Sequence, residues 1–369
     1  MVLEKDPKGD GSRRRRRTLQ AIGSVVALVA IGYFAFTKFT SFSEVWDSIK
    51  ALTWLEIGTL IAAALWNIVT YWFVMVAALP GSNYWQAMKI NQASTAVANT
   101  LPGGGALALG VSYGMYSASG FSRRAIGLSM VVSGVWNNFV KLTMPIVALA
   151  LLAMQGNITT ARATAAGLGL LVLAVALIAF ASVLRSERAA RVIGTWAERA
   201  ISGIRRGLRK PPVNDWGDAL VRFRDEANAL LRRRWAALTI ASIVSHLSLY
   251  GVLLLTLRHV GIAETEVSWV EVLAVFAFVR LISAIPITPG GLGVVELGLT
   301  AGLVTAGGAR PGVVAGVLVY RALTWALPIP LGIAMYLRWI RGAEARRRRT
   351  LQSQADPRVE ISIVDERVG

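Results

Sequence analysis

Six long apolar runs constrain this chain more than any other feature. A helix needs roughly 20 residues to cross a hydrocarbon layer about 30 Å thick. Leu19 to Phe39, Leu55 to Leu79, Ala125 to Met154, Ala163 to Leu184, Ala236 to Leu257 and Gly312 to Leu337 each reach that length between charged or turn residues. Composition agrees. Only 16% of the 369 residues are charged and 54% are hydrophobic, whereas an ordinary soluble domain carries about 25% charged residues. One soluble domain does not bury six helices that are apolar all round. Leu19 to Phe39 follows Arg13 to Arg17 like a secretory signal, but it is long and ends without a clear small-residue cleavage site, so it reads as a retained anchor.

The net charge of +18 is explained by where the 39 basic residues fall. Seven precede Thr18, Lys89 and the pair Arg123 and Arg124 follow, 13 lie between Arg185 and Arg234, and eight lie from Arg338 onward. Those segments alternate with the spans so as to fall on one side. This is the positive-inside pattern, which orients both termini and the long polar loop to the cytoplasm and leaves no need for nucleic acid as a partner. Such segments also attract anionic lipid headgroups, at roughly 1 kcal/mol per residue near the surface. The expected arrangement is a basic cytoplasmic N-terminus (1–18), a single transmembrane domain (19–337) and a basic, disordered cytoplasmic tail (338–369). Within the polar loop (185–235), Trp216, Leu220, Phe223, Ala227 and Leu230 recur at helical spacing. They predict an amphipathic helix lying on headgroups or against a partner.

Two further apolar regions fail as simple spans. Asn91 to Ser119 is cut at Thr100-Leu101-Pro102-Gly103-Gly104-Gly105, and Val270 to Thr305 at Ile285-Pro286-Ile287-Thr288-Pro289-Gly290-Gly291. Proline removes a backbone donor and glycine permits positive φ, so each cluster predicts a break or reversal. If Asn91 to Ser119 crossed once, the most basic loop would lie outside. It therefore enters and leaves on one side, as a re-entrant hairpin or as two short full spans, and the second region does the same from the opposite side. Pro102-Gly103-Gly104 matches Pro289-Gly290-Gly291, and a tryptophan, Trp136 or Trp325, follows each about 35 residues later. The fold class expected is an all-α polytopic membrane protein with six full spans plus two re-entrant or broken helical hairpins in an inverted repeat, an architecture of secondary transporters.

Ionisable residues inside apolar spans are costly and mark function. Here they are Lys141, Arg280, Glu296 and Arg321, with His246 read as an interhelical hydrogen-bonding residue. Lys141 shares a helix face with Asn137, and Arg321 stands one turn before Trp325. Lys141, Asn137, Arg280, Glu296, Arg321 and Trp325 form the expected substrate-binding set, suited to an anionic group such as a lipid phosphate, with the glycine-rich turns adding free amides. Glu296 is expected to pair with a base or carry a proton. The chain has no cysteine and two histidines, so no metal centre is expected. No cofactor or catalytic residue is assigned.

At Thr100-Leu101-Pro102-Gly103-Gly104-Gly105 and Ile287-Thr288-Pro289-Gly290-Gly291-Leu292-Gly293-Val294-Val295-Glu296, with Arg321 and Trp325 downstream, the chain resembles the flippase-like transmembrane region of bacterial lysylphosphatidylglycerol synthases. The resemblance spans Leu19 to about Leu337. It implies movement of a phospholipid or similar amphiphile between leaflets, with Arg280, Pro289 to Gly291, Glu296 and Arg321 at the hairpin and lipid cavity. Only about 30 residues follow the last span, so the aminoacyl-transferring domain, and with it lysyl transfer, is not expected. No nucleotide-binding GxxxxGK[ST] loop is present. Two alternatives remain: a membrane enzyme using Glu296, Glu271 or His259 on a lipid-linked substrate, and a scaffold that recruits a separate synthase through the polar loop or self-associates.

Overall fold

The computed structural model describes residues 42–101, 103–156, 160–207, 211–283 and 288–354. The expected anchor at Leu19 to Phe39, the basic N-terminus, Pro102, Ile285 to Ile287 and the tail beyond 354 lie outside the described residues. All elements among those described are helical. They are α1 (Phe42–Lys50), α2 (Trp54–Ala78), α3 (Tyr84–Thr100), α4 (Gly104–Ala118), α5 (Arg123–Met154), α6 (Thr160–Arg185), α7 (Glu187–Gly207), α8 (Trp216–His259), α9 (Trp269–Ile282), α10 (Val294–Thr305), α11 (Arg310–Arg321) and α12 (Pro328–Gln354). Among the described residues, five segments are long and apolar enough to cross a membrane: α2, α5, α6, α8 and the continuous run Arg310–Gly342. They coincide with five of the six apolar runs, so the chain is membrane-embedded.

Local chemistry fixes the helix starts. α2, α3 and α9 each begin with a capping box, Thr53 with Glu56, Asn83 with Gln86 and Ser268 with Glu271, in which side chain and backbone amide satisfy one another reciprocally. α11 passes into α12 through a π-helical turn, Ala322–Ala326. Pro328 and Pro330 lack amides and crowd the preceding turn, and the wider turn absorbs that defect without ending the rod.

Two expectations are corrected at the element level. The amphipathic stretch from Trp216 to Leu230 is no separate surface helix; it is the first part of α8, which runs unbroken for 44 residues into the span. No glycine or proline interrupts the sequence between them, so the hydrogen-bond ladder continues. Its apolar face packs within the chain: Phe223, Leu230 and Leu231 pack with Phe180 and Leu184 of α6, and α7 folds back along it. Likewise the helix of the last span continues through the arginine run to Gln354, where disorder was expected from 338.

Both broken regions are helix pairs. α3 packs on α4, and α9 on α10. The four arms have 17, 15, 14 and 12 residues, or about 18–26 Å of helix each, less than a hydrocarbon thickness. The core joins α5, α8, α9, α10 and α11 around Leu253, Phe276, Leu299 and Leu303.

Candidate functional site: a cavity where two broken helices meet

The break between α3 and α4 is a tight turn. Leu101 is extended, the Gly104 amide donates to the Leu101 carbonyl at 2.8 Å, and Gly103 adopts φ +68°. A Cβ at Gly104 would stand 2.5 Å from the Ala98 carbonyl oxygen, so no side chain fits. The second break contains a 3-10 turn, Pro289–Gly291, with Gly290 at φ +58°. A Cβ there would meet the Trp325 indole at 2.4 Å and Asn99 Oδ1 at 3.1 Å. Gly290 is therefore the point where the second turn touches both α3 and the π-helical turn.

The two turns share one cavity of about 580 Å³. Gly103 to Gly105 line it on one side, Thr288 to Gly291 on the other, and Arg280, Tyr320, Arg321 and Trp325 complete the wall. Asn91, Thr95 and Asn99, at helical steps of four, project from α3 into the same space with Gln92, and Asn67 and Tyr71 come from α2. Asn99 donates to the Trp325 carbonyl at 3.0 Å, tying α3 to the bulge.

The two arginines of the cavity differ. Arg321 donates from Nε to Glu296 Oε1 at 2.6 Å and from Nη2 to the Gly290 carbonyl at 3.0 Å, and its guanidinium lies 5.6 Å from the Trp325 ring centroid. It is compensated and holds the second turn in place. Arg280 has neither an ion pair nor a side-chain hydrogen bond among the described residues, and its Nε is fully buried without a partner. Lys141 lies within its electrostatic reach, which adds positive charge rather than removing it. A half-buried cation without an acid costs several kcal/mol in apolar surroundings unless water or an anion meets it.

Of the residues expected to bind substrate, Arg280, Arg321 and Trp325 line the cavity. Glu296 stands behind Arg321 with Oε2 buried and unpartnered. Lys141 is off the wall but electrostatically coupled to Arg280, and Asn137 does not line the cavity. The turn residues Gly103, Gly104, Gly105, Pro289, Gly290 and Gly291 all do. Trp136, unlike Trp325, does not line the cavity: it sits among Phe139 and Phe180 and donates to Thr239 Oγ1 at 2.9 Å. The polar face of α3 was missed. Its signal was present, because Asn91, Thr95 and Asn99 recur on one face of an otherwise apolar segment.

Residues 20–332 match the family model described as the lysylphosphatidylglycerol synthase transmembrane region. The chain belongs to this family. No individual curated protein matches it. The family match covers both broken helices and every wall residue of the cavity, so the site lies wholly inside the lysylphosphatidylglycerol synthase transmembrane region. Among the described residues no group of three or more His, Asp or Glu is placed to hold a metal ion.

Proposed function

We propose that this protein translocates a phospholipid or another anionic amphiphile between the leaflets of a bacterial inner membrane, with its basic ends cytoplasmic. In this reading α3–α4 and α9–α10 are re-entrant hairpins related as an inverted repeat, entering from opposite faces and meeting at the cavity. The single observation that carries the reading is Arg280, a cation that no described residue compensates, on the wall of a cavity built from two interrupted helices. Irregular backbone at membrane depth is tolerated where it lines a polar space, and an anionic headgroup there supplies the charge that Arg280 lacks.

A membrane enzyme draws less support. Glu296 is held by Arg321, Glu271 caps α9, and His259 contacts Thr59 and Glu56; the three are spread over separate contacts. Scrambling of fluorescent phospholipids in proteoliposomes tests the proposal. Anionic lipid is expected to move faster than zwitterionic lipid, and Arg280→Ala to reduce the anionic rate about tenfold or more, as loss of one charge-assisted contact implies. Movement equal to that in protein-free vesicles, for every headgroup and ion gradient, refutes it.

A further inference from the structure

A second cavity, of about 1150 Å³, opens at the basic end of the bundle, and no residue lines both cavities. It lies between the end of α2 (Ala78 and Pro80), the start of α5 (Ser122 and Arg124) and the middle of α8. Five guanidiniums line it, those of Arg124, Arg224, Arg232, Arg233 and Arg234, against two carboxylates, Asp225 and Glu226. Two of the five are committed to the protein. Arg224 donates to the Leu184 carbonyl and to Asp225, and Arg234 to the Val76 carbonyl. These bonds, with Asn228 donating to Leu184, brace the cleft between α2, α6 and α8. Arg124, Arg232 and Arg233 have no hydrogen bond or ion pair among the described residues. Three uncommitted guanidiniums from two helices thus face a braced, preformed space.

Exposed aromatics give the depth of the cleft. Trp235 follows directly on Arg234 and is 59% exposed, and Tyr84 and Trp85, 51% and 70% exposed, follow Pro80 closely on α3. Aromatic side chains exposed at span ends settle at headgroup level, where a ring is half in hydrocarbon and half in water. A cleft at that level meets lipid phosphates before it meets dissolved ones.

We propose that this cleft is a seat for the phosphodiester headgroup of an anionic phospholipid, distinct from the central cavity. Arg232 and Arg233 of α8 and Arg124 of α5 clamp the phosphate oxygens, and Trp235 and Trp85 flank the acyl chains. Arginine suits this role because its planar fork of donors matches two phosphate oxygens at once.

The absence of native cysteine allows a site-specific test. Ala229→Cys places one thiol in the cleft, and Ala200→Cys places one on the exposed face of α7. The rate of alkylation by uncharged N-ethylmaleimide is measured for both in nanodiscs of phosphatidylcholine alone and with phosphatidylglycerol. An anionic surface slows all thiols by lowering local pH, so the readout is the ratio of the two rates. The expected result is that phosphatidylglycerol lowers the ratio of the cleft rate to the α7 rate about tenfold, as charge-assisted contacts imply. Arg232→Gln with Arg233→Gln, or Arg124→Gln alone on the other helix, is expected to restore it, in variants whose thermal unfolding is unchanged. A ratio indifferent to phosphatidylglycerol, or protection that survives in both variants, overturns the proposal. Equal protection by inorganic phosphate in phosphatidylcholine nanodiscs overturns the lipid as its source. Arg280→Ala is expected to leave the ratio unaltered, which separates this seat from the central cavity.

Discussion

Two arginines with the same chemistry do different work because their neighbours differ. Arg321 is met by Glu296, a backbone carbonyl and an indole, whereas among the described residues none offsets the charge of Arg280. Removing one partner of a largely buried pair strands the other, so Glu296→Gln is expected to destabilise the protein by about 1–3 kcal/mol, discounted for partial exposure. The double change Glu296→Gln with Arg321→Met should cost less than the two single changes added together, because no charge is left alone. Thermal unfolding in detergent measures both; an unshifted transition in Glu296→Gln would remove Arg321 from its role as the clasp of the second turn. Arg280→Leu is expected to act in the opposite direction, raising the unfolding temperature while lowering anionic lipid transport, the usual exchange of stability for function at a site. Sequence alone marks these residues as costly to bury. It does not say which base the one acid will choose, since Arg280, Arg321 and Lys141 all precede or follow Glu296 at separations that carry no local rule.

The broken helices show how small residues set geometry between elements. Gly298 and Gly302, four apart on α10, face Val279 and Val275 of α9, and a Cβ at Gly302 would stand 2.5 Å from Val275 Cγ1. The two arms touch along a small-residue stripe, the mode of close packing that serves helices in lipid. Gly302→Val is therefore expected to cost about 1–3 kcal/mol through overpacking and to disturb the turn at Pro289 to Gly291. A Gly302→Ala variant should lose less, and equal unfolding temperatures for the two would show that the arms separate freely. The breaks themselves were legible, because proline and glycine clusters interrupt apolar periodicity for local reasons. The union of Trp216 to Leu230 with the following span into one rod was less so: spacing marks the helix, but a change from polar to apolar surroundings looks like a boundary even where the backbone has none.

At the scale of the whole molecule, the distribution of basic residues predicts one orientation. Thr265→Cys, in the exposed loop between α8 and α9, should react with an impermeant maleimide on intact cells, and Ala200→Cys on α7 only after permeabilisation. The reverse pattern would invert this orientation and move the basic cleft to the outer face. What the sequence by itself determined is the set of elements: membrane-length apolar runs, capped starts, two interrupted helices and the segregation of charge, all of which follow from interactions within a few residues or with the bilayer. The tertiary structure alone decided that both interruptions face one cavity, that the polar stripe of α3 lines it, that Trp136 stays outside it, and that five arginines from two helices surround a second cleft. Those outcomes depend on contacts between residues up to 226 positions apart, such as Asn99 with Trp325. Helix-to-helix register of that kind is set by shape and by the pairing of buried polar groups, and no local spacing in the chain encodes it.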